Sequence, residues 1–433
     1  MKYQRPQEEL LKSRLSEPVH FINLLAGPRQ VGKTTIIRDI IDKKNDQNQA
    51  QGYYISVDDE PAIADDNYSL NTAPSVVSPP QKKDGSWLQF QWQEARNRTA
   101  KWLKSGQTTD KKAQPAAAAF IFAIDEVQKI EQWSDIVKGL WDADRANGVP
   151  MHVVLLGSAP LLMQKGLSES LAGRYETIAI SHWGFTEMQQ AFDFNLEQYI
   201  YFGGYPGSAW LIKDEKRWRR YVKDSLIQPN IEKDILQMVR IKNPMLLKQL
   251  FELGCHSSGM ELSLTKMIDA INEAKHTETL ADYLHLLAEA KLLTGLQKYA
   301  AQEVRKRNSA PKLNVFNTAL MSATQDYSFA EAQADRSYWG RLVESCVGAH
   351  LLNTCDEDTK LYYWREGNHE VDFILAKGKK LTAIEVKSAP NPLLSKGLDV
   401  FGQKYSYARK ILVGNGGVAL AEFLSHPSEI WLD

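Results

Sequence analysis

The sequence of 433 residues predicts an α/β protein with a parallel sheet in its N-terminal half, a helical region, and a second α/β domain at its C-terminal end. Three observations support this prediction. Strand-like and helix-like segments alternate from residue 1 to about 190, as in a parallel sheet with crossover helices. Apolar residues then recur at helical spacing from about 245 to 290. Alternating residues around a short turn between 371 and 386 indicate a β-hairpin.

The predicted sheet begins with an apolar strand at Phe21–Leu25 that leads into a glycine loop. The loop, Gly27–Thr34, reads GPRQVGKT, and a helix over 33–40 follows it. In this strand–loop–helix context, the pattern G-x-x-x-x-G-K-T directs backbone N–H groups at phosphates. Lys33 would reach the β- and γ-phosphates, and Thr34 would hold Mg²⁺. The residues expected to bind the nucleotide are Gly27, Pro28, Arg29, Gln30, Val31, Gly32, Lys33, Thr34 and Thr35.

A second nucleotide motif lies in the segment Phe120–Glu126. Its apolar residues predict a strand buried on both faces of the sheet, and this strand ends in Asp125 and Glu126, where parallel strands present ligands. Asp125 would hold Mg²⁺ directly or through water, and Glu126 would activate an attacking water as general base. Together with the glycine loop, this pair of acids favours hydrolysis of bound ATP over its storage.

Three further strands and an insertion complete the N-terminal region. The strands are predicted at Tyr53–Val57, Val153–Leu156 and Thr177–Ile180. The insertion extends from about 61 to 115 and is rich in Pro, Ser, Gln, Asp and Lys, so it is either a partly mobile segment or a loop for a substrate or partner. Within it we predict an amphipathic helix over 87–103. The apolar face of this helix contains Trp87, Phe90, Ala95, Trp102 and Leu103.

Two residues near the ends of these strands are candidates for sensing the nucleotide. Ser158 follows the strand at 153–156, beside the expected γ-phosphate, and would hydrogen bond to it. Arg174 precedes the strand at 177–180 and would reach a phosphate of a neighbouring subunit as an arginine finger. The alternative for Arg174 is an interaction with the C-terminal end of the preceding helix.

Composition limits the classes of partner. The formal net charge is -1, so contact with nucleic acid must come from local basic patches. The three cysteines are too few and too scattered for a disulfide framework or a zinc site, which suits a reducing cytosol. We find no apolar signal segment and no stretch long enough to span a membrane. We therefore expect a cytoplasmic protein that does not bind membranes.

The region 245–300 predicts three short helices followed by a hairpin, the order found in a winged helix. The third helix, at about 277–290, is the one that enters the DNA major groove in such domains. Its exposed residues are mainly acidic: Glu278, Asp282, His285 and Glu289. Basic runs at 305–307 and 216–223, the latter containing Trp218, are candidates for phosphate contacts. The alternatives are a packing or interaction role for the winged helix and ordinary solvated faces for the basic runs.

The C-terminal hairpin predicts a metal site. A two-residue turn at Gly378 and Lys379 places Asp372 directly opposite Glu385, with Lys387 on the same face. Facing carboxylates repel each other unless a cation lies between them, so we expect Mg²⁺ or Mn²⁺ here. A helix predicted over 339–352 projects Glu344, and Lys387 would stabilise developing charge. Surface ion pairs between Asp372 and Lys387 on a plain hairpin are the alternative.

Several of these motifs resemble those of one group of prokaryotic AAA-superfamily ATPases. The matching segments are GPRQVGKT, IDEVQK, LLGSAPLL, LAGRYETI, SHWGFTEM, YFGGYPGSAW and IEKDIL. The resemblance implies an AAA-type ATPase domain over 1–190, a helical and winged-helix region over 191–310, and a nuclease-like domain over 311–433. The chain departs from the group in its long insertion and in His182 and Trp183, where relatives tend to have Pro-Leu.

The acids of the C-terminal domain also carry a resemblance. Glu344, Asp372, Glu385 and Lys387 resemble the E…D…ExK core of the PD-(D/E)xK nuclease superfamily. Gln403 and Tyr407 are similar to a Q-x-x-x-Y helix motif of some of these nucleases. The resemblance implies either metal-dependent cleavage or DNA binding without catalysis.

Two functions follow as hypotheses. In the first, a homo-oligomer hydrolyses ATP with Mg²⁺ and couples this to binding or processing of duplex or branched DNA, with or without metal-dependent nuclease activity in the C-terminal domain. In the second, ATP operates a regulatory or assembly switch, and the nuclease-like domain is a non-catalytic binding scaffold. A small-molecule kinase is disfavoured, because Glu126 and the candidate arginine finger fit attack by water better than transfer to a metabolite.

Overall fold

The computed structural model describes residues 3–45, 51–58, 82–105, 119–157, 170–235, 241, 243–271, 276–300, 309–388 and 396–432. The chain divides into two compact units. The N-terminal unit contains Gln4–Gly27 and Gly32–Ile180, and the C-terminal unit contains Met1–Tyr3, Pro28–Val31 and Ser181–Asp433.

The N-terminal unit is built on a parallel sheet. Its strands are β1 Ile22–Ala26, β2 Gly52–Ser56, β3 Phe120–Asp125, β4 Met151–Gly157 and β5 Tyr175–Ala179. Its helices are α1 Pro6–Leu15, α2 Lys33–Lys44, α3 Gly85–Lys104 and α4 Trp133–Ala146. The strand order is β2–β3–β4–β1–β5, and every neighbouring pair is parallel. All five strands predicted from the sequence are present, and each end lies within two residues of the prediction.

The strands β3 and β4 are buried along their whole length, as expected for the centre of a sheet that is covered on both faces. All strands are parallel, so the C-terminal ends of β1, β3 and β4 meet at one edge. That edge carries the glycine loop after β1 and the acids at the end of β3.

The insertion helix α3 belongs to the core of this sheet. Trp92 is fully buried and meets Phe122 of β3 edge to face, with ring centroids 5.5 Å apart. The predicted apolar face was wrong in part, since Leu103 is 46% exposed and Phe90 is half-buried. The buried stripe follows alternating spacings of four and three residues, which keeps side chains on one helix face. It contains Leu88, Trp92, Ala95, Thr99 and Trp102. Residues 59–81 and 106–118 of the insertion lie outside the described part of the chain.

The C-terminal unit combines helices with a mixed sheet. Its helices are α5 Phe185–Phe192, α6 Leu196–Phe202, α7 Glu215–Tyr221, α8 Pro244–His256, α9 Leu264–Ala270, α10 Thr277–Glu289, α11 Thr318–Thr324, α12 Phe329–Ala334, α13 Arg336–Thr354, α14 Lys396–Lys404 and α15 Leu420–Ser425. Its strands are β6 Leu293–Lys298, β7 Lys312–Val315, β8 Lys360–Glu366, β9 His369–Lys377, β10 Lys380–Lys387 and β11 Arg409–Gly414. Short 3₁₀ turns at Pro206–Leu211 and Ser428–Trp431 and π-helical turns at Val222–Ile227 and Asn230–Ile235 complete it.

The sheet order is β11–β10–β9–β8–β6–β7. The helices α8, α9 and α10 precede the antiparallel pair β6 and β7, which is the order predicted for a winged helix. However, β6 also pairs in parallel with β8, so the hairpin extends the C-terminal sheet. A domain boundary at 310 would therefore separate two hydrogen-bonded strands.

The hairpin of β9 and β10 has the predicted register. Lys380 lies opposite Lys377 and Ile384 lies opposite Phe373, so the connecting turn consists of Gly378 and Lys379. The Q-x-x-x-Y prediction was wrong in its placement, because α14 ends at Lys404 and Tyr407, 65% exposed, lies beyond the helix. None of the helices in the described residues combines the length and apolar character that a membrane crossing requires.

Candidate functional site

The glycine loop after β1 has the backbone that its sequence requires. A Cβ atom at Gly27 would lie 2.1 Å from the carbonyl oxygen of Ile180, so only glycine fits this close approach. Gly32 has φ +94 and immediately precedes α2. The loop therefore directs the N-terminal end of a twelve-residue helix, which favours an anion, towards the place expected for phosphate.

Lys33 lies at the start of α2 and is only 7% exposed. Its ammonium group donates a hydrogen bond to the carbonyl oxygen of Gly27, at 2.8 Å. A buried cation beside loop N–H groups suits an anionic ligand, because phosphate oxygens carry the opposite charge, which a neutral carbonyl lacks. The donor set of this loop thus fits the phosphates of a nucleotide.

Asp125 joins the loop to the end of β3. Its Oδ2 accepts a hydrogen bond from the Thr34 hydroxyl at 2.6 Å and another from the Tyr54 hydroxyl at 2.9 Å. Asp125 is 5% exposed, so these contacts lie in a largely dry site. A hydroxyl and a carboxylate in contact are the hard oxygen ligands that Mg²⁺ prefers, and the site fits that ion.

Tyr54 was not predicted as a site residue. It lies on β2, next to β3 in the sheet, and the only sequence signal was its position in a strand adjacent to the acidic one. Burial raises the pKa of Tyr54, and the negative charge of Asp125 raises it further. The phenol therefore remains protonated and keeps donating its hydrogen bond to Asp125.

Glu126 follows Asp125 with φ +57, a left-handed conformation that turns its side chain out of the strand direction. Its Oε2 accepts a hydrogen bond from the amide of Gln128 at 2.9 Å, and the ammonium of Lys129 lies 3.6 Å from the same oxygen. Lys129 also pairs with Asp58 at 2.6 Å. The turn Val127–Lys129 thus orients the candidate general base. The sequence analysis did not predict Gln128 and Lys129 as site residues.

The middle of the glycine loop, Pro28–Val31, belongs to the C-terminal unit. Within that unit, the indole N–H of Trp183 donates to the carbonyl oxygen of Val31 at 2.9 Å. The hydroxyl of Tyr221, the last residue of α7, donates to Gln30 Oε1 at 2.6 Å. Pro28 is buried and Arg29 half-buried, whereas Thr35, on α2 of the N-terminal unit, is exposed.

The two candidate sensors have different outcomes. Arg174 forms a two-point ion pair with Asp142 of α4, with Nε 2.8 Å from Oδ1 and Nη2 3.0 Å from Oδ2. This guanidinium lowers the pKa of Asp142. Ser158 lies outside the described residues. The roles of Arg174 and Ser158 stay predictions.

The structure contradicts the interpretation of the basic run at 216–223 as a nucleic-acid contact that includes an accessible aromatic side chain. Trp218 is fully buried, so it presents no face on which a base stacks. Arg219 is directed inward too, and its Nη2 donates to the carbonyl oxygen of Tyr327 at 2.6 Å. The basic run at 305–307 lies outside the described residues.

In the C-terminal domain, the structure brings the predicted acids to one place but puts a lysine among them. Lys312 Nζ lies 2.5 Å from Glu344 Oε1 and 3.3 Å from Asp372 Oδ1. The other oxygen of Asp372, Oδ2, accepts the backbone N–H of Val386 at 2.8 Å. Glu385 pairs with Lys387 at 2.7 Å. Burial and the charge of Asp372 raise the pKa of Glu344 to about 7, against the opposing influence of Lys312.

This arrangement does not fit a divalent metal. Across the described ranges, no group of three or more His, Cys, Asp or Glu side chains is arranged to hold a metal ion. The physical reason is the ammonium of Lys312, which takes the contacts that the metal would need from Glu344 and Asp372.

Comparison with known families agrees with the N-terminal site. An AAA domain model matches residues 20–189, and two models described as domains of unknown function, DUF8612 and DUF4143, match residues 193–330 and 339–422. The chain therefore contains a P-loop ATPase domain of the AAA type, followed by two domains of unknown function. Domains of this class bind ATP and Mg²⁺.

Individual relatives are distant. An uncharacterized protein of Mycobacterium tuberculosis is 25% identical over 282 residues, which cover 64% of this chain and 61% of the relative. An uncharacterized protein of Haemophilus influenzae is 22% identical over 301 residues, covering 66% of this chain and 71% of the relative. The Walker-type ATPase of Pyrococcus abyssi is similar over 75% of this chain and 96% of its own, with 13% identity and a TM-score of 0.45. The chain thus spans less than two thirds of the length of its mycobacterial relative.

Proposed function

We propose that this protein hydrolyses ATP with Mg²⁺ and uses the turnover to govern its binding to DNA. The observation that carries the first part is the contact of Thr34 with Asp125 at 2.6 Å, directly after the loop that buries Lys33. Lys33 would bind the β- and γ-phosphates, and Thr34 and Asp125 would hold the magnesium ion. When bound, Mg²⁺ would supply neutralisation of the phosphate charge. Glu126, which Gln128 holds in orientation, takes a proton from the attacking water.

An exposed basic surface supports the DNA part of the proposal. We call it the basic stripe, and it consists of Lys213, Lys216, Arg217, Arg220 and Lys223. Lys216 and Arg220 are four residues apart on α7, so they share one helix face. The opposite face of this segment is buried through Trp218 and Val222. Among the described residues, none of the five cations forms an ion pair, so their charge is free for phosphates.

An exposed aromatic side chain lies close to the basic stripe in sequence. Trp210 is 79% exposed, at the end of the 3₁₀ turn Pro206–Leu211, which packs against α7. An exposed indole beside cations suits stacking with unpaired bases. By contrast, α10 exposes Glu278, Asp282 and His285, so this helix does not support major-groove reading. The proposed contact is therefore with the backbone and bases of DNA, without sequence specificity.

A hydrogen bond within the C-terminal unit supports the coupling. Gln30 belongs to the glycine loop, and Tyr221 ends the helix that carries much of the basic stripe. Their 2.6 Å hydrogen bond joins the loop to the stripe through one residue on each side. A change in loop conformation on ATP binding would act on α7 through this contact, and DNA bound at the stripe would act on the loop in return.

The ion pairs of the C-terminal carboxylates favour a second candidate function. Because Lys312 pairs with Glu344 and Asp372, the nuclease-like domain fits a binding scaffold better than a metal-dependent nuclease. In this candidate, ATP operates a regulatory or assembly switch, and the scaffold contacts protein instead of DNA.

Measurement of the ATPase rate and of the DNA affinity across a salt series separates the two candidate functions. We expect duplex, single-stranded or branched DNA to stimulate turnover, with an effect that falls steeply as salt rises. Arg217→Glu with Arg220→Glu should weaken DNA binding and reduce the salt dependence. The matched control is Lys360→Glu with Lys379→Glu, two exposed lysines elsewhere on the C-terminal unit.

Several results would contradict the proposal. A Lys33→Ala variant with normal ATPase activity would remove the phosphate-loop assignment. If no form of DNA changes the ATPase rate and the basic stripe variants bind DNA as the parent does, the regulatory switch is the better description.

A further inference from the structure

We infer that the ammonium group of Lys312 occupies the cation position of the C-terminal carboxylate cluster, so that this cluster does not bind a divalent metal. We define the cluster as Glu344, Asp372 and Glu385 with Lys312 and Lys387. The inference goes beyond the proposed function, because ATP hydrolysis and DNA binding place no requirement on this cluster.

The position of Lys312 is fixed by the fold. It is the first residue of β7, which pairs with β6 at the edge of the C-terminal sheet, while Glu344 comes from α13 and Asp372 from β9. Its side chain is 8% exposed and reaches Glu344 Oε1 at 2.5 Å and Asp372 Oδ1 at 3.3 Å. The backbone carbonyl oxygen of Asp372 is 3.4 Å away. The ammonium thus contacts three oxygens from two separate elements.

Charge and burial explain why a metal ion does not replace this lysine readily. A divalent ion would have to displace a buried ammonium from two carboxylates, and an unpaired buried charge is strongly unfavourable. The aromatic ring of Phe373, with its centroid 5.2 Å from Nζ, adds a cation–π contact that favours the lysine further. Asp372 Oδ2 accepts the Val386 N–H, and Glu385 Oε1 pairs with Lys387, which orders the remaining acids.

The carboxylates of the cluster are largely buried. The exposed fraction of the side chain is 20% for Glu344, 10% for Asp372 and 6% for Glu385. What the parent chain lacks is a free position between them, because Lys312 fills it.

This inference predicts that removal of the ammonium creates a metal site. The test is titration of the nucleotide-free, full-length chain with Mn²⁺, following free Mn²⁺ by electron paramagnetic resonance. Without nucleotide and DNA, the outcome is independent of the proposed function. We expect Lys312→Met, which keeps the side chain except for its terminal ammonium position, to bind one more Mn²⁺ per chain than the parent. Adding Asp372→Asn to that variant should abolish the gain.

The matched control is Lys387→Met, which removes the other ammonium of the cluster but leaves Lys312 in place. It should bind no more Mn²⁺ than the parent. A folded Lys312→Met protein that gains no Mn²⁺ would overturn the inference.

A second comparison decides the matter even if Lys312→Met does not fold. The parent and Asp372→Asn should bind Mn²⁺ equally. Mn²⁺ binding by the parent that disappears in Asp372→Asn would show that the cluster holds metal with Lys312 present, and the inference would be wrong.

Discussion

Replacement of Tyr54 by phenylalanine tests how the acid at the end of β3 is held. The Tyr54 hydroxyl donates to Asp125 Oδ2 at 2.9 Å, and Thr34 donates to the same oxygen at 2.6 Å. Tyr54→Phe removes one of these two donors and preserves the ring, which packs beneath the guanidinium of Arg38 at 4.4 Å. The change therefore removes the orientation of the carboxylate without removing a proposed ligand of Mg²⁺.

The magnitude follows from the geometry. A hydrogen bond to a charged group contributes about 1.5–3 kcal/mol when fully buried. Tyr54 is half-buried, so water replaces part of the lost interaction and we expect a cost of about 1 kcal/mol. This corresponds to a roughly fivefold weaker apparent affinity for Mg²⁺ in the presence of ATP. Since the raised pKa of Tyr54 keeps its phenol protonated, the loss should not vary with pH in the neutral range.

The assay is the Mg²⁺ dependence of ATP hydrolysis at saturating ATP. The matched control is Tyr53→Phe, because the hydroxyl of Tyr53 donates to Gln91 Oε1 instead of Asp125. We expect the Mg²⁺ midpoint to rise for Tyr54→Phe and to stay unchanged for Tyr53→Phe. A folded Tyr54→Phe protein with the parent's Mg²⁺ midpoint would refute the positioning role.

Three further predictions concern turnover, assembly and pH. Glu126→Gln should retain ATP binding and slow hydrolysis by about 10²–10⁴-fold, measured as phosphate release, and an unchanged rate would exclude Glu126 as the general base. Arg174→Ala should slow turnover only at concentrations at which subunits assemble. Asp142→Asn removes the same ion pair but keeps the arginine, so it should not slow turnover. Equal effects of the two changes would show that Arg174 has only a structural role. Burial lowers the pKa of His350 to about 4, so the folded chain binds fewer protons than the unfolded chain below pH 6.5. The contribution of neutral His350 to the free energy of unfolding is then fully present above pH 6.5. It decreases as the pH is lowered, by about 2 kcal/mol at pH 5. Thermal melting between pH 8 and 5 should show a smaller decrease for His350→Gln than for the parent, and equal decreases would exclude His350 as the cause.

The parts of the molecule that the sequence predicted well are those that depend on local patterns. The P-loop motif determines part of its own backbone, because Gly32 adopts a positive φ, which favours glycine. The hairpin register followed from the alternation of side chains and a two-residue turn, and the structure confirms it. In these cases the residues that interact lie close together along the chain, so a short pattern contains the needed information.

The predictions that were wrong required knowledge of the other side of a helix or sheet. Trp218 lies within a basic run, which indicated an exposed aromatic side chain, yet it is fully buried on the inner face of α7. Phe90 and Leu103 were placed on the apolar face of the insertion helix, whereas Leu88 and Trp92 face the sheet. Composition and spacing do not show which face of a helix meets the core when several large apolar residues are available.

The sequence by itself determined that a nucleotide loop, an acidic strand end and a pair of facing carboxylates exist, since each is encoded in one short stretch of the chain. Only the tertiary structure decided what those groups contact. Tyr54 reaches Asp125 across 71 residues, and Lys312 reaches Asp372 across 60. Whether facing carboxylates hold a metal ion or an ammonium depends on which side chain a distant strand brings between them, and that is a property of packing.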